Sequence, residues 1–474
     1  MLRAAMLSVS AAVMTACAVG PDYERPDILL PQDWPEEVRS PMDEEASIGQ
    51  WWTRYDDPVL SELVERALEN NLDIGLAAAR VAEARASLGF RRAEQFPTVS
   101  AFAEAERDDP GLTGGGIDQE FVVAGALSYE LDLWGRLSRD TESARAALLA
   151  TAFSRDAVRL AVVTDLVASY FDYRAVVEQI RITERTITSR EESLELEESR
   201  FRSGATTELA MRQAEAELET SRAELPGLRA EAERGRRALA ILVGDSEAVG
   251  RGLGGLGDFG LPDLPDSVTE LPRVLPAELL ERRPDIRAAE SFLIAANADI
   301  GVARAQWLPR VDLLAIYGTG ATAAGDLFTG PATLWELLGT VTAPILDFGR
   351  RRSAVEGAEA LYDIAELQYR ATILDAIREV GDAWTLLTTA DERLEARDRE
   401  VAARVEVVNL AERRYGGGFS PYLEVLDARR ALFDAELSRT AAARDRLIAT
   451  ATLYRALGGG WEIDEEQAAL ESAL

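Results

Sequence analysis

The chain is written twice. Gly89, Arg92, Ala93 and Pro97 recur as Gly301, Arg304, Ala305 and Pro309, a shift of 212 residues. Gly135 and Arg136 return as Gly349 and Arg350, and the Phe201–Gly204 run as Tyr415–Gly418, both shifted by 214. Each copy therefore holds the same elements in the same order, and a loop absorbs the difference of two. A duplication of this length turns 474 residues, otherwise a multi-domain length, into one elongated body made of two like halves.

Between Arg350 and Tyr415 there is no proline, and the only glycines are Gly357 and Gly381. Apolar residues step alternately by four and three, through Ile373, Ile377, Val380, Trp384, Leu387, Leu394, Val401, Val405 and Val408. Asp391 and Asp398 interrupt that stripe. The first copy keeps the register with Val163, Leu166, Tyr170, Tyr173, Val177, Ile180, Ile187 and Leu194, interrupted by Glu184 and Glu191. A 3.5-residue period predicts helices wound left-handedly on neighbours, each about 100 Å long. A glycine-containing break and a return helix follow in each copy, over 206–243 and 420–457, so each copy is a long helical hairpin. Pro226 should kink the first return helix. The acidic interruptions fit either solvated positions on a rod or the wet lining of a hollow bundle.

The strands separate these readings. From Phe121 the odd positions are Phe121, Val123, Gly125, Leu127, Tyr129 and Leu131, against smaller or more polar even positions. The second copy repeats the pattern from Trp335 to Ile345, with Pro344 near its end. A preceding strand in each copy starts just after a proline, and glycine-rich loops join the pairs. Period-two alternation with a lipid-like face suits transmembrane β-strands. Four strands cannot close a barrel, because about eight are needed, and an open edge in lipid leaves unpaired backbone groups at several kcal/mol each. The chain must oligomerise.

Charge and composition narrow the function. The 83 carboxylates against 51 bases, all of them arginine, argue against nucleic-acid binding. There is no histidine, and Cys17 is the single cysteine. Histidine general bases, His/Cys metal sites and internal disulfides are thus excluded, and no cofactor is expected beyond a covalent N-terminal lipid. That lipid is expected at Cys17. Residues 1–16 carry Arg3, a short apolar stretch and small residues before the cysteine, the layout of a secretory signal too short to span a membrane. Met14-Thr15-Ala16-Cys17 resembles a bacterial lipobox, whose cysteine is acylated after cleavage.

Together these residues resemble the outer-membrane efflux proteins of the TolC/OprM type, in particular their lipidated members. The opening Cys17-Ala-Val-Gly-Pro-Asp-Tyr23 and the mid-chain Leu275-Pro-Ala-Glu-Leu-Leu-Glu-Arg-Arg-Pro-Asp-Ile286 carry the resemblance, which covers about 17–457. It implies a mainly α fold with membrane β: a homotrimer whose twelve strands form one outer-membrane barrel above a periplasmic α-helical barrel. The implied organisation is a signal peptide 1–16 and an extended N-terminal segment 17–60 packing on an equatorial region. A first repeat over 61–245 has strands 98–106 and 119–133 and hairpin 136–243. An equatorial linker 246–283 leads to a second repeat over 284–457, with strands 310–317 and 333–347 and hairpin 350–457, and an equatorial tail 458–474.

The resemblance also implies sites and partners. Arg414, Tyr415, Leu423, Asp427 and Arg430 fall on the family's periplasmic gate, where ion pairs, hydrogen bonds and an apolar constriction narrow the channel. Leu423, Asp427 and Arg430 recur every three to four residues and share one helical face. The hairpin tips Arg202, Ser203, Gly204 and Thr206, and Gly416, Gly417 and Gly418, are the docking surface for a periplasmic adaptor. An inner-membrane pump of the RND type completes the assembly. The expected function is a passive exit duct for small molecules, not an enzyme. The competing readings are a type I protein-secretion duct and a coiled-coil periplasmic adaptor or scaffold.

Overall fold

The computed structural model describes residues 19–30, 42–43, 49–108, 118–253, 271–272, 276–329, 333–461 and 463–474. Cys17 and residues 1–16 lie outside the described residues. In chain order the principal elements are α1 Pro58–Asn70, α2 Leu72–Ala93, β1 Thr98–Asp108, β2 Asp118–Leu131, α3 Arg136–Arg202 and α4 Glu208–Val243. The second copy gives α5 Pro284–Ala305, β3 Arg310–Ala321, β4 Thr333–Thr342, α6 Arg350–Gly416 and α7 Tyr422–Ala456, and α8 Glu465–Glu471 follows.

The duplication is metrical. Helices α2 and α5 each have 22 residues, α3 and α6 each 67, and α4 and α7 have 36 and 35. At 1.5 Å per residue, α3 and α6 are each about 100 Å long. Both begin at a glycine with positive φ, Gly135 (75°) and Gly349 (95°). Just upstream, Asp132 and Asp347 accept hydrogen bonds from N–H groups of each entry turn. Their far ends match as well. Gly204 and Gly418 both have φ +76°, and each chain closes with a six-to-one bond, Ala205 N–H to Arg200 O (2.8 Å) and Phe419 N–H to Arg414 O (2.9 Å). This is the Schellman stop, which needs a residue that tolerates a left-handed conformation. Helix α4 runs unbroken through Pro226.

The strands form one antiparallel sheet in the order β1-β2-β3-β4, so the two copies' hairpins lie side by side. Strand β4 stops at Thr342, five residues short of the sequence expectation, because Pro344 has no N–H to continue the ladder. The other strands run longer at their loop ends than expected. Pairing matches even with even and odd with odd positions throughout, so each face is continuous across all four strands. At the sheet's base, Trp134 Nε1 donates to the Pro309 carbonyl (2.7 Å), tying the copies together.

The main core lies partway along the helices, where α1, α3, α4, α5, α6 and α7 converge with the N-terminal segment. Trp51 is buried there, stacked on Tyr454 at 5.4 Å, while Tyr55 packs on Phe171 at 4.9 Å. Asp57 caps α1 through Val59 N–H and Leu60 N–H, and accepts from the Tyr170 hydroxyl (2.7 Å). Among the described residues, no helix is long and apolar enough to cross a membrane.

Candidate functional site

The four interruptions of the helical stripe are cross-hairpin ion pairs. In the first hairpin Glu184 meets Arg229 (2.9 Å) and Glu191 meets Arg222 (2.7 Å). In the second, Asp391 meets Arg446 and Asp398 meets Arg439 (2.5 Å). Three of the pairs are about half exposed on both sides, and Arg446 of the fourth is more buried; exposed pairs of this kind contribute only about 0.2–1 kcal/mol. Their common use is to fix how the two helices of a hairpin align, since a shift of one turn breaks every pair.

At the far end of the hairpins, a small apolar core holds both tips together through Ala210, Ala214, Ala411, Tyr422, Val425 and Leu426. Around it, carboxylates of the first hairpin grip residues of the second. The Tyr415 hydroxyl donates to Glu197 Oε2 at 2.7 Å, and Arg430 Nε donates to Glu217 Oε1 at 2.7 Å. Glu197 is only 1% exposed and Glu217 5%. Arg200 holds the other oxygen of Glu197 (3.0 Å) and lies 5.1 Å above the Tyr415 ring. Burial raises the Tyr415 phenol above its ordinary value, and the negative Glu197 adds to the rise. Arg190 completes the second clasp. It reaches the Glu217 carbonyl (2.7 Å), the Ser221 hydroxyl (2.6 Å) and the Glu217 carboxylate (3.3 Å), and burial lowers its pKa.

The expected gate residues divide between two environments. Tyr415 and Arg430 are engaged with the first hairpin as above. Arg414 lies 3.5 Å from Glu424 within its own hairpin. Leu423 and Asp427 are exposed on the face of α7 opposite the buried Val425 and Leu426, and Asp427 approaches Arg430 only to 3.6 Å. Arg202, Ser203 and Gly204 are exposed at one tip and Gly416, Gly417 and Gly418 at the other, with Thr206 half-buried beside Tyr415. Glu197, Glu217 and Arg190 escaped the sequence reading. A signal was present: Thr183, Arg190 and Glu197 are heptad-spaced polar residues, all buried, forming a second seam beside the apolar one.

The sheet presents two unlike faces. Odd positions bring together Val99, Phe121, Leu127, Leu313, Trp335 and Leu337, with Arg107 the single charged residue in the strands on that side. Even positions carry Glu104, Glu106, Glu120, Glu130, Asp312 and Glu336. Four of these glutamates line a depression of about 180 Å³ with Phe102, Val122, Ile316 and Leu334. An apolar outside and a polar inside are what a barrel wall in lipid requires.

The sequence model of the outer membrane efflux protein family matches residues 63–245 and 275–459. The chain belongs to that family. It is 32% identical to the solvent efflux pump outer membrane protein SrpC of Pseudomonas putida, covering 96% of this chain and 97% of that one. To the outer membrane protein OprJ of Pseudomonas aeruginosa it is 33% identical over 95% of both. Among solved structures, the outer-membrane channel OprN superposes with a TM-score of 0.87 at 32% identity, covering 94% of this chain and all of that one. The open-state outer membrane channel MtrE of Neisseria gonorrhoeae superposes with a TM-score of 0.79 at 29% identity, covering 94% of this chain and 98% of that one. The protein is thus an outer-membrane efflux channel, the exit duct of a tripartite efflux system, built from a duplicated, mostly helical chain with one membrane sheet.

Proposed function

We propose that three copies form the duct and that the clasps at the hairpin tips hold its periplasmic end closed. The open edges of the sheet support closure by neighbouring copies, and the family resemblance supplies the number three. Edge strands β1 and β4 run in opposite directions, so β4 of one copy continues antiparallel onto β1 of the next, and three copies give twelve strands with no free edge. Rows of exposed apolar residues on the helices below, Leu361, Ile364, Leu367 and Leu374 on α6 and Leu72 and Leu76 on α2, supply further surface for neighbouring copies. Cys17 carries the lipid in this reading and anchors the N-terminal segment. Cysteines placed at Ala101 and Val341 in a Cys17→Ser background test the trimer: oxidation should give a covalent trimer ladder, and a chain that stays monomeric refutes it.

In the closed state, Tyr415–Glu197 and Arg430–Glu217 tie the second hairpin to the first. A periplasmic adaptor docking on the tips around Gly204 and Gly418 releases these ties and lets the second hairpin swing outward. An RND-type inner-membrane pump supplies energy and selection, and the duct itself performs no catalysis and needs no cofactor. The relatives' names as solvent, toluene and antibiotic efflux proteins favour small apolar or amphiphilic cargo over the secreted proteins of a type I system.

A further inference from the structure

From Val19 the N-terminal segment runs as a strap. Val19 N–H bonds the Trp134 carbonyl at 3.0 Å, and Gly20 crosses α5 against Gly301, where a Cβ on either glycine would come within 2.9 Å of the other segment's backbone. Below this crossing, the strap, α2, α3, α5 and the tail border a half-open cavity of about 860 Å³. Five arginines line it. Three of them are matched: Arg25 with Glu290 (2.6 Å), Arg287 with Glu471, and Arg139 with Asp22 (2.7 Å) and Glu142 (2.9 Å). Arg92 and Arg145 are in no ion pair among the described residues, and Arg145 reaches only the Ala473 carbonyl (2.7 Å). The Nε atoms of Arg139, itself 8% exposed, and of Arg145 are buried without a partner.

The second copy has a closed bridge at the equivalent place. Arg92 corresponds to Arg304 and Arg145 to Glu359, and those two form a direct ion pair at 2.8 Å. The first copy has put two like charges where its duplicate has a closed bridge. Two guanidinium groups facing one cavity are unfavourable alone and favourable around an anion.

Position identifies the anion. Arg92 and Gln95 sit within two helical turns of Thr98, where the sheet begins, and Ser138 lies at the start of α3. Exposed Phe96 and Trp307 mark the same level, as aromatic residues do at a membrane–water boundary. The end of the cavity lined by Arg92, Gln95 and Ser138 therefore lies at the headgroup layer of the periplasmic leaflet. We infer that it binds the phosphate of a phospholipid headgroup between Arg92, Arg139 and Arg145, giving the duct a lipid contact separate from any acyl chain on Cys17.

Native mass spectrometry of the full-length protein in detergent tests this with three probes: phosphatidylglycerol, a diacylglycerol with the same chains, and inorganic phosphate. Arg145→Glu is the informative variant, because it recreates the bridge that the second copy already tolerates. The wild type should retain phosphatidylglycerol at least about tenfold better than diacylglycerol, and Arg145→Glu should fall to the diacylglycerol level. Should that variant fail to fold, Arg92→Gln, at an exposed position, should lower retention in the same direction. Equal retention by wild type and variant overturns the inference, as does equal binding of diacylglycerol. Displacement by inorganic phosphate at concentrations matching the lipid would assign the cavity to a soluble anion and overturn the headgroup.

Discussion

Tyr415→Phe isolates one clasp of the proposed gate. The substitution removes a single oxygen and keeps the ring, so the ring contacts with Tyr422 (5.2 Å between centroids) and Arg200 survive. The main loss is the 2.7 Å bond to a carboxylate that is 1% exposed, and the hydroxyl's contacts with Thr206 and Arg200 go with it. A hydrogen bond to a charged group contributes about 1.5–3 kcal/mol, and burial of the acceptor places this one within that range. Glu197 keeps Arg200 on its own helix, so the fold of the first hairpin is preserved while the tie to the second is cut. A loss of about 2 kcal/mol shifts the closed-to-open equilibrium by about 30-fold per copy. In planar bilayers the variant should open far more often than wild type, and cells carrying it should become sensitive to bulky antibiotics. An open probability within threefold of wild type would refute the view that this bond holds the gate.

Asp427→Ala should change the stability of the isolated chain by less than about 0.5 kcal/mol, because Asp427 is exposed and 3.6 Å from Arg430; a large rise in conductance would then place its partner on a neighbouring copy. Arg430→Ala cuts the second clasp and should raise conductance beyond Asp427→Ala in the same recordings. Reversing one member of a cross-hairpin pair, as in Glu191→Arg, should lower the denaturation midpoint by an amount equivalent to about 1 kcal/mol, and adding Arg222→Glu should restore most of it, read as a double-mutant cycle. Replacing Glu104, Glu106, Glu120 and Glu336 by Gln should reduce cation preference in reversal-potential measurements, since all four sit on the polar face of the sheet.

The readable parts of the sequence were those set by local period. Odd–even alternation from Phe121 gave the membrane face, and the four-three stripe from Ile373 gave the coiled hairpins, because side-chain direction follows directly from backbone repeat. The proposed gate was legible only in part. Tyr415 and Arg430 stood out through the family's spacing, but their partners Glu197 and Glu217 are more than 200 residues away and look like any other acid on an acidic helix. The same ambiguity covered Glu184 and Asp391, whose arginine partners lie on the opposite helix of each hairpin.

The sequence by itself determined a duplicated body, two long helical hairpins, four amphipathic strands and the need for neighbours to cover the sheet's edges. These follow from periodicity and from the cost of unpaired backbone in lipid. Only the tertiary structure decided which acids are clasps and which are solvated, and which of two equivalent arginine positions is bridged and which lines a cavity. The reason is physical: an ion pair depends on distance and burial across helices, and neither is encoded in the spacing along one helix. The two copies share their periods, and their differences become chemistry only when the halves pack together.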